Sequence, residues 1–180
     1  MPDLLIEIGC EEIPARMIDG ARQELSKRVS DLLKRERLIS TDGTAALGNN
    51  AIAFSTPRRL AVVARNIEAR QPNIEEQLVG PSTKVAYKDG KPTPAAEAFA
   101  RKAGVDVNKL EKITNPKGEY LGATVVRKGR TAGEVLAEAV PKELNALYWA
   151  KNMYWRANKP ERFVRPIRWM VALLDGEVLP

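Results

Sequence analysis

The stretch 163–180 constrains the fold most, because it carries the pattern of a β-hairpin. An apolar, β-branched run extends over Arg165–Leu174, and the dipeptide that follows it, Asp175-Gly176, favours the tight turn of a hairpin. Glu177–Leu179 begins a return strand. The pattern therefore predicts an antiparallel strand pair. Because the return strand is barely begun, the pattern also predicts a main domain truncated at its C-terminal edge, either in an N-terminal piece of a longer protein or in a domain whose sheet is completed elsewhere.

Helical and strand patterns alternate through the rest of the chain. Apolar residues recur at helical spacing over 14–33 and 131–147, each time with a polar opposite face. Strand-like runs stand between them, including Leu4–Ile8 and Ala51–Ser55, and a polar loop is expected over 40–50. Grouped strands with helices between the groups are typical of an α+β fold. The sequence therefore predicts an antiparallel or mixed sheet with flanking helices.

Residues 80–110 are predicted to form a small helical insert. A strand-like run, Glu75–Val79, is expected to end at Gly80-Pro81, and a helical pattern follows before the next strands. The main domain is then divided between 1–79 and 111–180. The insert is expected to act either as a docking module or as a lid on the main sheet.

The composition excludes several kinds of site. The chain has no histidine and one cysteine, Cys10, so histidine-based catalysis, the usual zinc sites and a disulfide framework are excluded within it. It has no glycine-rich phosphate loop and no apolar stretch near the roughly 20 residues that span a bilayer. We therefore expect no catalytic residue, metal site or cofactor in this segment, no membrane contact, and a reducing, cytoplasmic location.

The charge balance allows a polyanionic partner without requiring one, since 29 Lys and Arg against 23 Asp and Glu give a net charge of +6. Arg58 and Arg59 are the sharper signal. The rigid turn at Pro57 holds two guanidinium groups where they can contact phosphate or carboxylate. A turn that carries arginines for solubility alone has the same pattern, and both interpretations stay open.

The segment Tyr148–Trp169 combines aromatic with basic residues, and all three tryptophans lie in it. Such a mixture suits stacking on unpaired bases together with neutralisation of phosphates. It equally suits a protein interface, where Trp, Tyr and Arg are favoured. The candidate RNA- or partner-binding residues here are Lys151, Trp155, Arg156, Arg162, Arg165 and Arg168.

Three polar residues lie where the first strand leads to the first helix. Glu11 and Glu12 are predicted to stabilise the start of the helix through its dipole, with binding of a cation or of a partner's arginine as the alternative. Cys10 is predicted to be a packed residue, because the chain offers no histidine that could activate a thiolate.

Five blocks of sequence, in order, resemble one family over essentially all 180 residues. The blocks are LLIEIGCEEIPARM, FSTPRRLAV, VGPSTKVAYKDGKPTPAAEAFARKAGV, NPKGEYL and FVRPIRWMVALLDGEVLP. Together they are similar to the N-terminal part of the bacterial glycyl-tRNA synthetase beta subunit. The ordered set is far more specific than any single motif described above.

The resemblance implies a share in the ATP-dependent attachment of glycine to tRNA(Gly) by an α2β2 assembly. It implies that the class II catalytic core, with its glycine, ATP and Mg²⁺ sites, belongs to the alpha subunit, whereas beta supports tRNA recognition and assembly. The implied partners are the alpha subunit, tRNA(Gly) and the rest of beta. No catalytic residue is assigned to this chain, which is expected to be inactive alone. The alternative is a protein-docking or scaffold module without direct RNA contact.

Overall fold

Antiparallel sheets and helices are divided between two units of the chain. The structure, a computed structural model, describes residues 1–39, 51–88, 91–116, 118–154, 158 and 161–180. The first unit comprises 1–71 and 130–180, and the second comprises 72–129. Every strand pair in the described residues is antiparallel, which confirms the predicted α+β class. The loop predicted over 40–50 lies outside the described residues.

Helices and strands follow one another in groups along the chain. The described α-helices are α1 (Ala15–Arg35), α2 (Thr83–Ala86), α3 (Pro94–Ala103) and α4 (Ala132–Asn145). The strands are β1 (Leu4–Cys10), β2 (Ala51–Thr56), β3 (Arg59–Ala64), β4 (Ile74–Ser82), β5 (Tyr87–Lys88), β6 (Lys91–Pro92), β7 (Glu111–Asn115), β8 (Gly118–Arg127), β9 (Met153–Tyr154), β10 (Arg162–Phe163), β11 (Ile167–Leu174) and β12 (Glu177–Val178). The second unit holds β4 to β8 with α2 and α3.

Five strands of the first unit form one sheet in the order β12-β11-β1-β3-β2. Side chains alternate between the two faces of a strand. In the central strand β1, Leu4, Ile6 and Ile8 are buried on one face, whereas Leu5 and Glu7 lie on the other and are only half-buried. We call these the core face and the open face of the sheet.

β11 and β12 form the hairpin that the sequence predicts. Leu174 pairs with Glu177 across Asp175-Gly176, whose φ angles are 50° and 87°. A type I′ turn requires positive φ at both central positions, and Asp-Gly is among the few dipeptides that accept this. The hairpin prediction is confirmed, and the first of its strands begins at Ile167.

α1 and α4 cover the core face. Both helices bury an apolar stripe at helical spacing in the same hydrophobic cluster as the core face. They are also joined by ion pairs, since Arg28 and Arg35 of α1 lie 3.3 and 2.9 Å from the carboxylate of Glu143. The buried apolar side chains of the two helices are Ala21, Leu25, Val29, Leu32, Leu33, Ala132, Val135, Leu136, Val140 and Leu144.

α4 begins with a capping box at Thr131. The Glu134 N–H donates to the Thr131 hydroxyl at 3.3 Å, and the Thr131 N–H donates to the Glu134 carboxylate at 2.9 Å. The bond from the Thr131 backbone is the largest of the causes that lower the pKa of Glu134 below its usual 4.5. Its folded pKa is depressed, so the stability that Glu134 contributes is present above the unfolded pKa and is lost as the pH falls through the folded pKa.

Glu134→Gln is therefore expected to make thermal stability less dependent on acid pH. The variant keeps an oxygen that can accept from the Thr131 N–H but has no titrating carboxylate. Melting temperatures of both proteins at about pH 7 and about pH 3 should differ most at the higher pH, and the gap should close in acid. A gap of the same size at both pH values would contradict this role for Glu134.

The second unit has a three-stranded sheet in the order β4-β8-β7 and a small core. Leu121, Ala86 and Ala96 are buried in this core, and Phe99 packs against them. The helical insert predicted over 80–110 lies within this unit. The unit comprises 72–129 and so includes residues on both sides of the predicted range. The reason is that α3 packs on β4 and β8, two strands of the unit's own sheet.

β4 does not end at Gly80-Pro81, and that prediction is wrong. The strand continues to Ser82, which pairs with Tyr120 of β8 after an irregularity in the register. The Phe99 ring of α3 lies against Gly80, where a Cβ would come within 2.7 Å of the ring. Long-range pairing and the absence of a side chain at Gly80 together let the strand pass through a sequence that is typical of a turn.

Candidate functional site

Three segments of the first unit meet where β1 leads into α1. The Cys10 N–H donates to the Arg58 carbonyl at 3.0 Å, and the Glu11 N–H donates to the Pro166 carbonyl at 3.0 Å. These bonds fix the turn between β2 and β3 and the start of β11 on either side of the end of β1. Four of the sequence-predicted residues therefore lie at one end of the sheet: Arg58, Arg59, Arg165 and Arg168.

An open pocket of about 550 Å³ lies at this end of the sheet, and we call it the arginine pocket. Its lining residues are Cys10, Glu11, Thr56, Arg58, Arg59, Arg168 and Trp169. Guanidinium groups that converge on one pocket present forked donors that match the oxygens of phosphate or carboxylate. The structure thus brings together arginines from two distant parts of the sequence, the β2–β3 turn and β11.

Glu11 and Glu12 pair with arginines of this pocket. Glu11 Oε1 lies 3.1 Å from Arg168 Nε, and Glu12 Oε2 lies 3.9 Å from Arg58 Nη2. The helix-dipole role predicted for both glutamates is wrong, because α1 begins at Ala15 and has no acidic residue in its first turn. The alternative prediction was that the two glutamates bind a cation or a partner's arginine. In the structure they pair with arginines of this chain instead.

Arg59, Glu7 and Trp169 form a cluster on the open face. Arg59 Nε lies 2.7 Å from Glu7 Oε1, and the Arg59 guanidinium carbon lies 5.2 Å from the centroid of the Trp169 ring. This is a cation–π distance. Gly9 lies beneath the ring, and a Cβ at position 9 would overlap it. Glycine at position 9 is therefore what lets Trp169 lie across β1.

Arg165 and Cys10 have structural roles at the arginine pocket. Arg165 Nε donates to the Glu12 carbonyl at 2.9 Å and so ties the approach to β11 to the segment after β1. Cys10 is buried, as predicted. Burial, and next the charge of Glu11, raise the pKa of the Cys10 thiol, so it stays protonated near neutral pH.

The other predicted residues do not line the arginine pocket. Arg162, in β10, lies over the Tyr154 ring at 4.6 Å and lines a different pocket of about 310 Å³. Lys151 is exposed before β9. Trp155 and Arg156 lie outside the described residues. The predicted aromatic and basic segment therefore contributes to two different pockets, with Arg168 and Trp169 at the arginine pocket and Arg162 at the other.

The open face carries large apolar side chains that the sequence analysis did not single out. Ile52 and Phe54 of β2 are 59% and 56% exposed, and Trp169 of β11 is 40% exposed. Ala51 and Ala53, which alternate with them, are buried on the core face. A strand with one solvated face usually has large apolar residues on its buried side and polar residues on its solvated side, and β2 does not follow this pattern. The alternation of alanine with Ile52 and Phe54 was the sequence signal for an apolar open face.

Metal ligands do not converge in the part of the chain that the structure describes. No group of three Cys, Asp or Glu side chains there is placed to hold a metal ion. Among the same residues, no helix combines the length and the apolar character needed to cross a membrane.

The sequence matches proteins of one family along nearly its whole length. The family model described as glycyl-tRNA synthetase beta subunit matches residues 4–180. A glycine–tRNA ligase beta subunit of Acidobacterium capsulatum is 59% identical over 180 residues, which are 100% of this chain and 25% of that protein. Proteins of the same name from Trichodesmium erythraeum and Geobacter metallireducens are 41% and 42% identical, over 98% and 100% of this chain and 23% and 25% of their own.

The chain thus spans about a quarter of the length of the curated relatives it matches. The match runs through both units and includes β1, the β2–β3 turn and the β11–β12 hairpin. It confirms the resemblance carried by the five sequence blocks. The chain belongs to the glycyl-tRNA synthetase beta subunit family.

Proposed function

We propose that this chain is a non-catalytic region of a glycine–tRNA ligase beta subunit that supports tRNA binding and α2β2 assembly. In this proposal the holoenzyme uses ATP to form glycyl-tRNA. The partners of this chain are the alpha subunit and tRNA(Gly). The location is cytoplasmic, where glycyl-tRNA is used. Family membership supports the proposal. The arginine pocket is the observation that supports the proposed RNA contact.

ATP and Mg²⁺ are assigned to the alpha subunit in this proposal, as the family resemblance implies. Among the described residues, no group of three candidate metal ligands converges. The sequence has no glycine-rich loop that could cradle phosphates. No catalytic step is therefore assigned to a residue of this chain.

The arginine pocket suits a phosphate because two of its arginines, Arg58 and Arg168, form only exposed ion pairs. Arg58 and Arg168 have side chains that are 69% and 68% exposed, and Arg58 lies as far as 3.9 Å from its glutamate. Exposed ion pairs are worth at most about 1 kcal/mol. A phosphate of the RNA backbone can therefore replace Glu11 or Glu12 as the partner of an arginine at small cost.

Arg58→Ala combined with Arg168→Ala is expected to weaken binding of tRNA(Gly) and to reduce its salt dependence. Each phosphate contact contributes about 0.7–0.9 to the slope of log K against log salt concentration. Loss of two contacts should therefore lower the slope by about 1 to 2. Fluorescence anisotropy with labelled tRNA over a salt series measures this slope.

Arg127→Ala is the matched control. Arg127 lies in β8 of the second unit, its side chain is 68% exposed, and its Nε lies 2.8 Å from Glu76. It therefore resembles Arg168 in exposure and pairing but does not line the arginine pocket. An unchanged slope in the double variant, or an equal fall in the Arg127→Ala control, would contradict RNA contact at this pocket.

The open face favours a second candidate function, a protein-docking or scaffold module without direct RNA contact. Exposed Ile52, Phe54 and Trp169 suit a protein partner better than a phosphate backbone. The same salt series separates the two candidates. A scaffold module would show no tRNA affinity that depends on the arginine pocket, whereas the favoured function requires it.

A further inference from the structure

We propose that the open face of the five-stranded sheet is an internal interface of the full-length beta subunit. Its occupant is an apolar layer formed by the part of the subunit's polypeptide that lies outside residues 1–180. This inference rests on family membership and on the chemistry of the open face. It does not rest on the RNA contact proposed for the arginine pocket, so either proposal can fail without the other.

The open face is apolar across four neighbouring strands. The register places Phe54 opposite Ala61, Ile52 opposite Val63, and Leu5 between Val63 and Leu173. Contiguous exposed apolar surface on a sheet marks an interaction site when it is larger than scattered single residues. Six of the side chains on this face are Leu5, Ile52, Phe54, Val63, Val171 and Trp169.

The charges on the open face neutralise each other. Glu7 and Arg59 are paired at 2.7 Å, and the Glu7 Oε1 atom is buried. The Arg59 guanidinium is held by Glu7 and lies over the Trp169 ring, so it is less available to an RNA backbone than the more exposed Arg58 and Arg168. A largely apolar surface whose glutamate and arginine pair with each other instead suits a protein layer that excludes water.

Trp169 gives the open face a fixed anchor. Its ring lies over Gly9 and beside the Arg59 guanidinium, so its position is set before any partner arrives. Pre-ordered Trp and Arg side chains near the centre of an interface carry much of its binding energy. The open face therefore carries the residue types of an interface core, and it adjoins the arginine pocket at Arg59 and Trp169, which line both.

The length of the relatives favours the same polypeptide as the occupant. The chain matches 25% of the Acidobacterium capsulatum protein, so about three quarters of such a subunit lies outside the matched residues. A segment tethered on the same polypeptide has a high effective concentration at this face. The alpha subunit or a second copy must instead find the face from solution.

Photo-crosslinking in the full-length subunit that carries this chain tests the proposal. Phe54→p-benzoylphenylalanine places a photoreactive aromatic group on the open face. We expect crosslinks within the subunit, identified by mass spectrometry, between position 54 and peptides outside 1–180. Tyr148→p-benzoylphenylalanine is the control, because Tyr148 is 73% exposed in the same unit and is not on the sheet. It should not reach the same peptides.

Other crosslinks from position 54 would overturn the proposal. These are crosslinks to the alpha subunit, to a second copy or to tRNA in the assembled enzyme, and the absence of any crosslink. Gel mobility separates products within one subunit from products between chains. Failure of the Arg58→Ala and Arg168→Ala test would leave this result unaffected, because Phe54 does not line the arginine pocket.

A second variant measures the burial of the same position. Phe54→Lys should lower the melting temperature of the full-length subunit by several degrees and that of the 180-residue chain by much less. The reason is that a lysine is desolvated only where the face is covered. Tyr148→Lys should change neither value. Equal shifts in both chains would show that position 54 acts within 1–180 and would overturn the proposal.

Discussion

Leu4→Ala is expected to lower the free energy of unfolding of the first unit by about 3 kcal/mol, whereas Leu5→Ala should lower it by about 1 kcal/mol or less. Leu4 is fully buried on the core face, where a truncated side chain leaves a cavity. Leu5 is half-buried on the open face, where water can occupy the vacated space. Urea unfolding followed by circular dichroism measures both values.

The two variants are a matched pair because they remove the same atoms from neighbouring positions of one strand. With a urea m-value of about 1–3 kcal/mol/M, the Leu4→Ala loss moves the unfolding midpoint by about 1 M or more. Equal losses would contradict the division into a core face and an open face. In a full-length subunit whose open face is covered, the cost of Leu5→Ala should rise towards that of Leu4→Ala.

Elements with local signals were predicted from the sequence. The β11–β12 hairpin follows from Asp175-Gly176, because positive φ at both positions is a property of the dipeptide itself. α1 follows from the spacing of its apolar residues, and the structure buries that stripe. Each of these features depends on residues a few positions apart, so it can be predicted without knowing which distant parts of the chain come into contact.

The arginine pocket could be predicted only in part. Arg58 was recognised because a proline turn displays it, but its position beside Arg168 depends on how β11 pairs with β1. In that pairing Gly9 lies opposite Trp169, and the register changes between Gly9 and Cys10. A shift of one residue would move every side chain to the other face. The ion pair of Glu11 with Arg168 follows from this register and has no local signal.

The end of β4 differed from its prediction for a related reason. Gly80-Pro81 is a turn signal in isolation, yet β4 passes through it because β8 supplies a partner strand and Phe99 packs on Gly80. The sequence analysis did not single out the open face, although Ile52 and Phe54 alternate with Ala51 and Ala53, because helices distant in the sequence decide which side of the sheet is covered. Tertiary contacts decide both outcomes, and they override the local propensity.

Leu121→Ala is expected to destabilise the second unit selectively, by about 3 kcal/mol. Among the described residues of 72–129, Leu121 is the one large side chain that is fully buried, and its small core otherwise holds Ala86 and Ala96. A unit with so little apolar burial has a small margin of stability, so the loss should unfold it in a large fraction of molecules. Hydrogen–deuterium exchange with mass spectrometry reports on each unit separately.

Val126→Ala is the control for Leu121→Ala, since Val126 lies on the same strand but is 53% exposed. It should leave exchange in both units nearly unchanged. Leu121→Ala should accelerate exchange over 72–129 while 1–71 and 130–180 keep their protection, because the larger hydrophobic cluster of the first unit contains none of the described residues of the second. Equal loss of protection in both units would mean that the chain unfolds as one cooperative body, and the small core of 72–129 would then not be its own source of stability.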